Sequence, residues 1–192
     1  MNIIKNNVSN ELIVKKSKFI TYLFYINNFD DIDKYLKEIK LKYKDCTHIC
    51  YAYVFENLKK YNDDNEPGGT AGLPILNILE KNNLTNVLAI VVRYFGGIKL
   101  GANGLIRAYS NSIKKALNQT EILEYIKKIE IEITTNHDNL KLLNSITNNL
   151  NIINKSFTNN ITYTILLDEK DKDNFIKQLK DIDITYKIKE EI

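Results

Sequence analysis

The first half of the chain combines apolar strand patterns with helical ones. Apolar residues recur at spacings of three and four between Phe29 and Tyr43, which predicts an amphipathic helix over about residues 30–44. The uninterrupted apolar run over 87–92 is typical of a strand that is buried on both faces. The other predicted elements of this half are strands at 11–16, 19–26 and 49–56, helices at 73–81 and 105–117, and loops at 57–72 and 96–104.

From Glu124 onward the pattern changes. Isoleucine alternates with glutamate over residues 129–133, and this period of two predicts a half-buried strand. The elements that follow are a helix at 137–150, strands at 152–157 and 162–167, a helix at 171–179 and a strand at 184–188. The order β-α-β-β-α-β is that of a ferredoxin-like domain, with a four-stranded antiparallel sheet backed by two helices on one face.

These patterns predict an α+β protein of two domains. We place the boundary near residues 118–123, which gives an N-terminal α/β domain at 1–120 and a ferredoxin-like domain at 121–192. Charge supports this division, because residues 1–118 carry 17 basic against 11 acidic side chains and residues 119–192 carry 10 against 13. A basic working domain joined to a mildly acidic one fits this asymmetry.

Cysteine content and hydropathy indicate the compartment. The chain has two cysteines, Cys46 and Cys50, which favours a reducing environment. No run of residues approaches the roughly 20 apolar positions that a membrane-spanning helix needs. We therefore expect a cytoplasmic protein without a membrane partner.

Glycine and proline are confined to one window of the sequence. All seven glycines and both prolines lie between Pro67 and Gly104, and the two arginines, Arg93 and Arg107, lie within this window or just after it. Glycine is required where φ is positive or where another group approaches the backbone closely. The window is therefore the predicted working region.

Two motifs in this window resemble those of the IMPACT/YigZ family. Residues 63–72 read DDNEPGGTAG, similar to the family pattern D-D-G-E-P-S-G-T-A-G, and residues 93–109 resemble R-Y-F-G-G-x-x-L-G-x-G-G-L-x-R-A-Y. The segments 15–19 and 46–53 also resemble family motifs. The chain departs from the pattern at Asn65 and Asn103, which replace glycine, and at Gly69, which replaces serine. Asparagine tolerates the left-handed region better than most residues.

The resemblance implies a fold and a role. It implies an N-terminal domain similar to domain four of elongation factor G and a C-terminal domain similar to domain five. Eukaryotic relatives of the family modulate the kinase pathway that responds to amino-acid starvation, by competing for a ribosome-associated activator. The resemblance therefore implies a regulatory protein that binds RNA, the ribosome or a translation-regulatory protein.

The residues themselves leave the chemistry of the window open. A buried strand, a glycine loop and a helix can present backbone N–H groups to an anion. The binding candidates for a phosphate or RNA are Arg93, Lys99, Arg107, Gly96, Gly97 and Gly101. The alternative is a loop clasp, in which the loop of Asp63, Asp64, Glu66 and Thr70 pairs with the arginines, and a clasp of this kind can also shape a binding surface.

Metal and enzyme hypotheses are weaker. The three loop carboxylates suit a hard cation such as Mg²⁺, but loop acids are usually solvated or paired. On a strand, Cys46, His48 and Cys50 would share a face at spacings of about 6.6 Å, too far apart for one zinc ion. We therefore expect no metal, no cofactor and no catalytic residue. A hydrolase or phosphotransferase using Asp63, Asp64 and Glu66 with His48 is the alternative function.

Overall fold

The structure is a computed structural model that describes residues 1–182 and 184–191, with backbone only for residues 190 and 191. Asp183 and Ile192, which belong to the predicted second domain, lie outside the described residues. The chain divides into two units, Met1–Tyr125 and Ile126–Ile192. Helices and antiparallel strands occur in both, which confirms the α+β class.

All residues of the first unit are described, and among them the chain forms seven strands and three helices. In chain order these are β1 (Asn2–Ile4), β2 (Val8–Val14), β3 (Ser17–Tyr25), α1 (Phe29–Lys42), β4 (His48–Phe55), β5 (Leu58–Asn62), α2 (Gly72–Lys81), β6 (Val87–Tyr94), α3 (Gly101–Leu117) and β7 (Ile122–Glu124).

The apolar strand β6 lies in the middle of the main sheet of this unit. The strand order is β2-β3-β6-β4-β5, and every neighbouring pair is antiparallel. Val87, Ala89 and Val91 belong to the core shared with α2 and α3, whereas the alternate residues of β6 belong to the core shared with α1. Helices therefore cover both faces, which explains why β6 is apolar at nearly every position.

Strand β5 corrects one prediction. We predicted a loop over 57–72, but Leu58–Asn62 pairs with β4 as the edge strand of the sheet. All five of its residues are exposed, so the strand has no apolar alternation. Backbone pairing with β4 keeps this strand in the sheet, and such pairing leaves no pattern of apolar residues in the sequence.

Helix α3 begins earlier than predicted. We placed its start at Leu105, but the first helical residue is Gly101. Two glycines in the first turn lower the helix propensity of this stretch and hid its beginning. Arg107 therefore lies in the second turn of α3 and not in the first.

The short strands β1 and β7 pair with each other in a separate two-stranded ribbon. Asn2 faces Glu124, and the N–H of Tyr125 donates to the carbonyl of Met1 at 2.8 Å. Residues 121–125, which the predicted boundary assigned to the second domain, therefore belong to the first unit. The sequence did not indicate this because both strands are only three residues long.

The second unit has a ferredoxin-like order of elements over the described residues 126–182 and 184–191. They are β8 (Lys128–Thr135), α4 (Leu140–Thr147), β9 (Asn151–Phe157), β10 (Ile161–Asp168), α5 (Lys172–Asp181) and β11 (Thr185–Glu191). The antiparallel sheet has the order β11-β8-β10-β9. The isoleucines of β8 share one core with Leu143 of α4 and Phe175 of α5, so both helices pack on the same face.

Among the described residues, no helix combines the length and the apolar character that crossing a membrane requires.

The β1–β7 ribbon predicts where the first unit can be separated from the second. A fragment of residues 1–120 lacks β7 and the hydrogen bond that Lys5 N–H donates to the Glu121 carbonyl, whereas a fragment of 1–125 keeps both. With about 0.5–1.5 kcal/mol per lost hydrogen bond, we expect the shorter fragment to be less stable by about 2 kcal/mol. Urea unfolding of the two fragments measures this difference, and equal midpoints would contradict the boundary.

Candidate functional site

Asp63 closes the loop 63–72 onto the beginning of α2. Its Oδ1 accepts hydrogen bonds from the N–H groups of Ala71 at 3.0 Å and Gly72 at 2.7 Å, and its Oδ2 accepts one from Gly69 at 2.8 Å. The first N–H groups of a helix have no partner within the helix, and a carboxylate at that end also complements the helix dipole. Asp63 is therefore a structural cap.

Asp64 fixes the same loop to the start of β4. Its Oδ2 accepts from the Ile49 N–H at 2.5 Å, and its carbonyl oxygen lies 2.7 Å from His48 Nδ1. Asp64 and Asn65 have φ values of 41° and 64°. Asn65 thus occupies the left-handed conformation that glycine would favour, which accounts for the departure at this position.

Glu66 and Arg93 form a buried ion pair beneath the loop. Arg93 Nη1 donates to Glu66 Oε1 at 2.5 Å, and the two side chains are 6% and 3% exposed. The Tyr109 hydroxyl donates to the same oxygen at 2.8 Å. The guanidinium carbon of Arg93 lies 5.5 Å from the ring centre of Phe19 and 5.7 Å from that of Phe95. These contacts join the loop to β6 and α3, and we call them the clasp.

Tyr109, which belongs to the clasp, and the neighbouring Cys50 are weak acids that stay protonated. Burial raises the pKa of the Tyr109 phenol and of the Cys50 thiol well above their ordinary values, and the nearby carboxylate of Glu66 acts in the same direction on both. Cys50 Sγ lies 3.3 Å from the Tyr109 hydroxyl and 3.1 Å from the Asp63 carbonyl. Both groups therefore remain hydrogen-bond donors.

The glycine loop passes close to the β2–β3 turn. A Cβ atom on Gly96 would overlap the backbone of Lys16 and Ser17, so glycine is required there. The Gly96 N–H donates to Ser17 Oγ at 3.1 Å, and the Phe95 N–H donates to Thr47 Oγ1 at 2.9 Å. The exposed side chains of the turn, including Lys16, consequently lie next to the loop.

Helix α3 begins beside this loop without a cap. Gly101 has φ +70°, which favours glycine, and the preceding Leu100 offers no side chain to the first N–H groups. The N–H groups of the first three helical residues have no partner within a helix. Its first turn contains no acidic residue, and Lys99 is exposed just before it.

A cavity of about 440 Å³ opens between the loop 63–72 and the start of α3. Its lining residues are Thr47, His48, Glu66, Pro67, Arg93, Phe95, Lys99, Leu100, Gly101, Ala102 and Leu105. The volume is in the range of small-molecule and cofactor sites.

The structure brings together some of the predicted residues and separates others. Arg93, Lys99, Gly101 and Glu66 line the cavity, and Gly96 holds the adjoining loop in place. The remaining predicted residues do not line it: Asp63, Asp64, Thr70, Gly97 and Arg107.

Their individual positions explain this separation. The Thr70 hydroxyl donates to the Pro67 carbonyl inside the loop, whereas Gly97 is exposed. Arg107 is exposed, while its neighbour Ala108 is buried. Arg107 therefore takes no part in the clasp.

Sequence reasoning missed Tyr109, Phe95 and Leu105. Tyr109 ends the second motif and lies four residues after Leu105, so the helical spacing places both on one face. Both are buried in the structure. That spacing was the signal that could have identified Leu105 and Tyr109 as buried residues of α3.

The geometry does not assemble the residues of the alternative enzyme. The oxygens of Asp63 and Asp64 are engaged by backbone N–H groups, which leaves Glu66 and His48 at the cavity. Among the described residues no group of three or more His, Cys, Asp or Glu side chains is placed to hold a metal ion. Cys46 and Cys50 belong to cores on opposite faces of the sheet, so our expectation that they share a face was wrong.

Residues 15–117 match the protein family described as the Impact N-terminal domain. The chain belongs to the IMPACT family. The segment that the family matches contains every cavity-lining residue and the whole clasp.

Similar IMPACT proteins occur in bacteria. The chain is 42% identical over 124 residues to the IMPACT family member YvyE of Bacillus subtilis, covering 63% of this chain and 57% of that protein. It is 33% identical over 182 residues to an IMPACT family member of Haemophilus influenzae, covering 91% and 88%. A crystal structure of a hypothetical protein matches with a TM-score of 0.68 and 26% identity, covering 98% and 97%. That protein therefore shares the fold of this chain over nearly its whole length.

The clasp predicts a large stability effect. Removing one partner of a buried ion pair leaves an uncompensated charge, so we expect Glu66→Ala to lower the free energy of unfolding by about 3–5 kcal/mol. The control is Glu80→Ala, which removes the exposed pair of Glu80 with Lys59 and is expected to cost less than about 1 kcal/mol. Urea unfolding measures both, and similar losses would contradict the importance of burial.

The raised pKa values predict an alkaline loss of stability. Cys50 and Tyr109 have ordinary pKa values of 9.0 and 10.0, which are raised in the folded protein. Above pH 9 the unfolded chain therefore loses protons that the folded protein keeps. The contribution of Cys50 and Tyr109 to the free energy of unfolding is thus complete below pH 9 and declines as pH rises.

Unfolding free energies measured between pH 7 and 11 test this dependence. Tyr109→Phe should reduce the decline above pH 10 by about 1.4 kcal/mol per pH unit. The control Tyr61→Phe, at an exposed tyrosine, should leave the slope unchanged, and an unchanged slope in Tyr109→Phe would refute the assignment.

Proposed function

We propose that this protein is a translation-regulatory protein whose first 118 residues bind structured RNA, such as that of the ribosome, mainly through phosphates. The translation role comes from the family resemblance, and the RNA partner comes from the chemistry of the surface around the start of α3.

The uncapped start of α3 carries this proposal. Its free N–H groups and the positive end of the helix dipole favour an anion, and Lys99 adds a full charge beside them. Backbone N–H groups and lysine side chains are common donors to nucleic-acid phosphates. No carboxylate of the described residues pairs with Lys99, so its charge is available to a partner.

Other cations extend this surface. Lys15 and Lys16, in the β2–β3 turn, are exposed next to Gly96, and neither forms an ion pair with a described residue. Arg107 is likewise exposed and unpaired within the described part of the chain. Several separated cations suit the spaced charges of a nucleic-acid backbone better than they suit one small anion.

Exposed apolar groups lie among these cations. Phe95 and Ile98 both lie in the loop before α3, where Phe95 is 46% exposed and Ile98 is 43% exposed. RNA with unpaired bases combines phosphates with flat apolar faces, and aromatic side chains stack on such bases. The mixture of cations and an exposed aromatic ring therefore favours RNA over a purely ionic partner.

Salt dependence tests the proposal. Phosphate binding releases counterions, so the affinity for ribosomes or structured RNA should fall steeply with salt. Lys99→Ala and Arg107→Ala should weaken binding to all sequences alike and lower the slope of the log–log plot by about one unit each. The measurement is co-sedimentation or fluorescence anisotropy across a salt series.

The matched control is Lys81→Ala. Lys81 is an exposed lysine of the same unit in the last turn of α2, and its substitution should leave the slope unchanged. Circular-dichroism melts check that each variant is folded. Absence of salt-sensitive binding at micromolar protein would overturn the RNA partner and favour a protein partner instead.

A further inference from the structure

The cavity beside α3 has hydrogen-bond acceptors at its floor. His48 Nδ1 lies 2.7 Å from the Asp64 carbonyl oxygen, which can only accept, so Nδ1 carries a proton, and when the ring is neutral Nε2 is an acceptor. Glu66 Oε1 accepts from Arg93 and Tyr109, whereas Oε2 accepts from none of the described residues. Unlike the enclosed Nε of Arg93, this Oε2 keeps access to solvent.

These two acceptors lie close together. His48 Nε2 is 3.9 Å from Glu66 Oε1, the oxygen that accepts from Arg93 and Tyr109, and the Glu66 side chain is only 3% exposed. Glu66 lines the cavity and its Oε2 has no partner among the described residues, so a ligand in the cavity can donate to it. A group with adjacent N–H donors therefore matches both acceptors.

The mouth of the cavity has the opposite polarity. The cavity-lining residues Lys99, Gly101 and Ala102 are exposed, and the N–H groups at the start of α3 have no side-chain cap. Phe95, Leu100 and Leu105 also line the cavity and supply its apolar surface. A ligand that matches these three parts of the cavity combines an anionic group, a flat apolar body and an edge that carries hydrogen-bond donors.

We infer that this cavity binds one unstacked guanosine nucleotide of the RNA partner, an inference that rests on the proposed function. The guanine edge carries N1–H next to the 2-amino group, which gives two adjacent donors for Glu66 Oε2 and His48 Nε2. The apolar walls contact the faces of the base. The phosphate lies at the start of α3 beside Lys99.

Ligands that differ by one group test the contacts with His48 and Glu66 without altering the protein. The full-length protein is titrated with GMP, IMP and guanosine, and binding is followed by calorimetry or by NMR shifts. IMP lacks only the 2-amino group, so GMP should bind about tenfold more tightly, as expected for one hydrogen bond to a charged acceptor. Guanosine, which lacks the phosphate, should bind more weakly than GMP.

Matched variants test the location. Ala102 and Asn111 are exposed residues of α3, and Ala102 lines the cavity whereas Asn111, more than two turns further along the helix, does not. Ala102→Leu should reduce GMP affinity at least about tenfold, because the added side chain occupies the cavity. Asn111→Leu adds comparable bulk away from the cavity and should leave GMP affinity unchanged.

A binding experiment with RNA separates this inference from the proposed function. A short adenosine-rich RNA with one central guanosine should bind more tightly than the same RNA with inosine. Salt-sensitive RNA binding without a preference for GMP over IMP overturns the guanosine site and leaves the proposed function standing. A GMP preference that Ala102→Leu removes, without RNA binding, supports the site for free nucleotides and overturns the RNA function.

Discussion

A carboxylate enclosed in a protein is stable only where other groups balance its charge and occupy its oxygens. Glu66 meets this requirement with Arg93 from β6 and Tyr109 from α3, and the guanidinium of Arg93 in turn lies near the rings of Phe19 and Phe95. Since each partner comes from a different element, one ionised group fixes the relative positions of a loop, a strand and a helix. The cavity is the space left beside this arrangement.

Elements whose residues are buried on a regular period could be predicted from the sequence. Strand β6 is apolar because helices cover both faces, and the isoleucines of β8 alternate with glutamates because one face is covered. Strand β5 has no such signature, since every residue is exposed and main-chain pairing with β4 holds it. Sequence patterns report burial, so an edge strand of this kind is invisible to them.

The site was predictable as a region but not as a set of contacts. The concentration of glycine and arginine between Pro67 and Arg107 indicated two loops that meet. Which carboxylate pairs with which arginine depends on loop conformation: Asp63 and Asp64 turn toward backbone N–H groups, and only Glu66 reaches Arg93. Arg107 faces solvent because the buried face of α3 is formed by other residues, among them Leu105, Ala108 and Tyr109.

The pairing of β1 with β7 also sets an order of events during synthesis. Nearly the whole first unit separates Asn2–Ile4 from Ile122–Glu124, so at roughly 5–20 residues per second the first strand waits on the order of 10 seconds for its partner. Until then Ile4, which is only 1% exposed in the finished protein, lacks the strand that completes its surroundings. The pairing of these two distant segments therefore cannot precede the synthesis of β7, and a nascent chain halted before β7 would have no partner for that edge of β1.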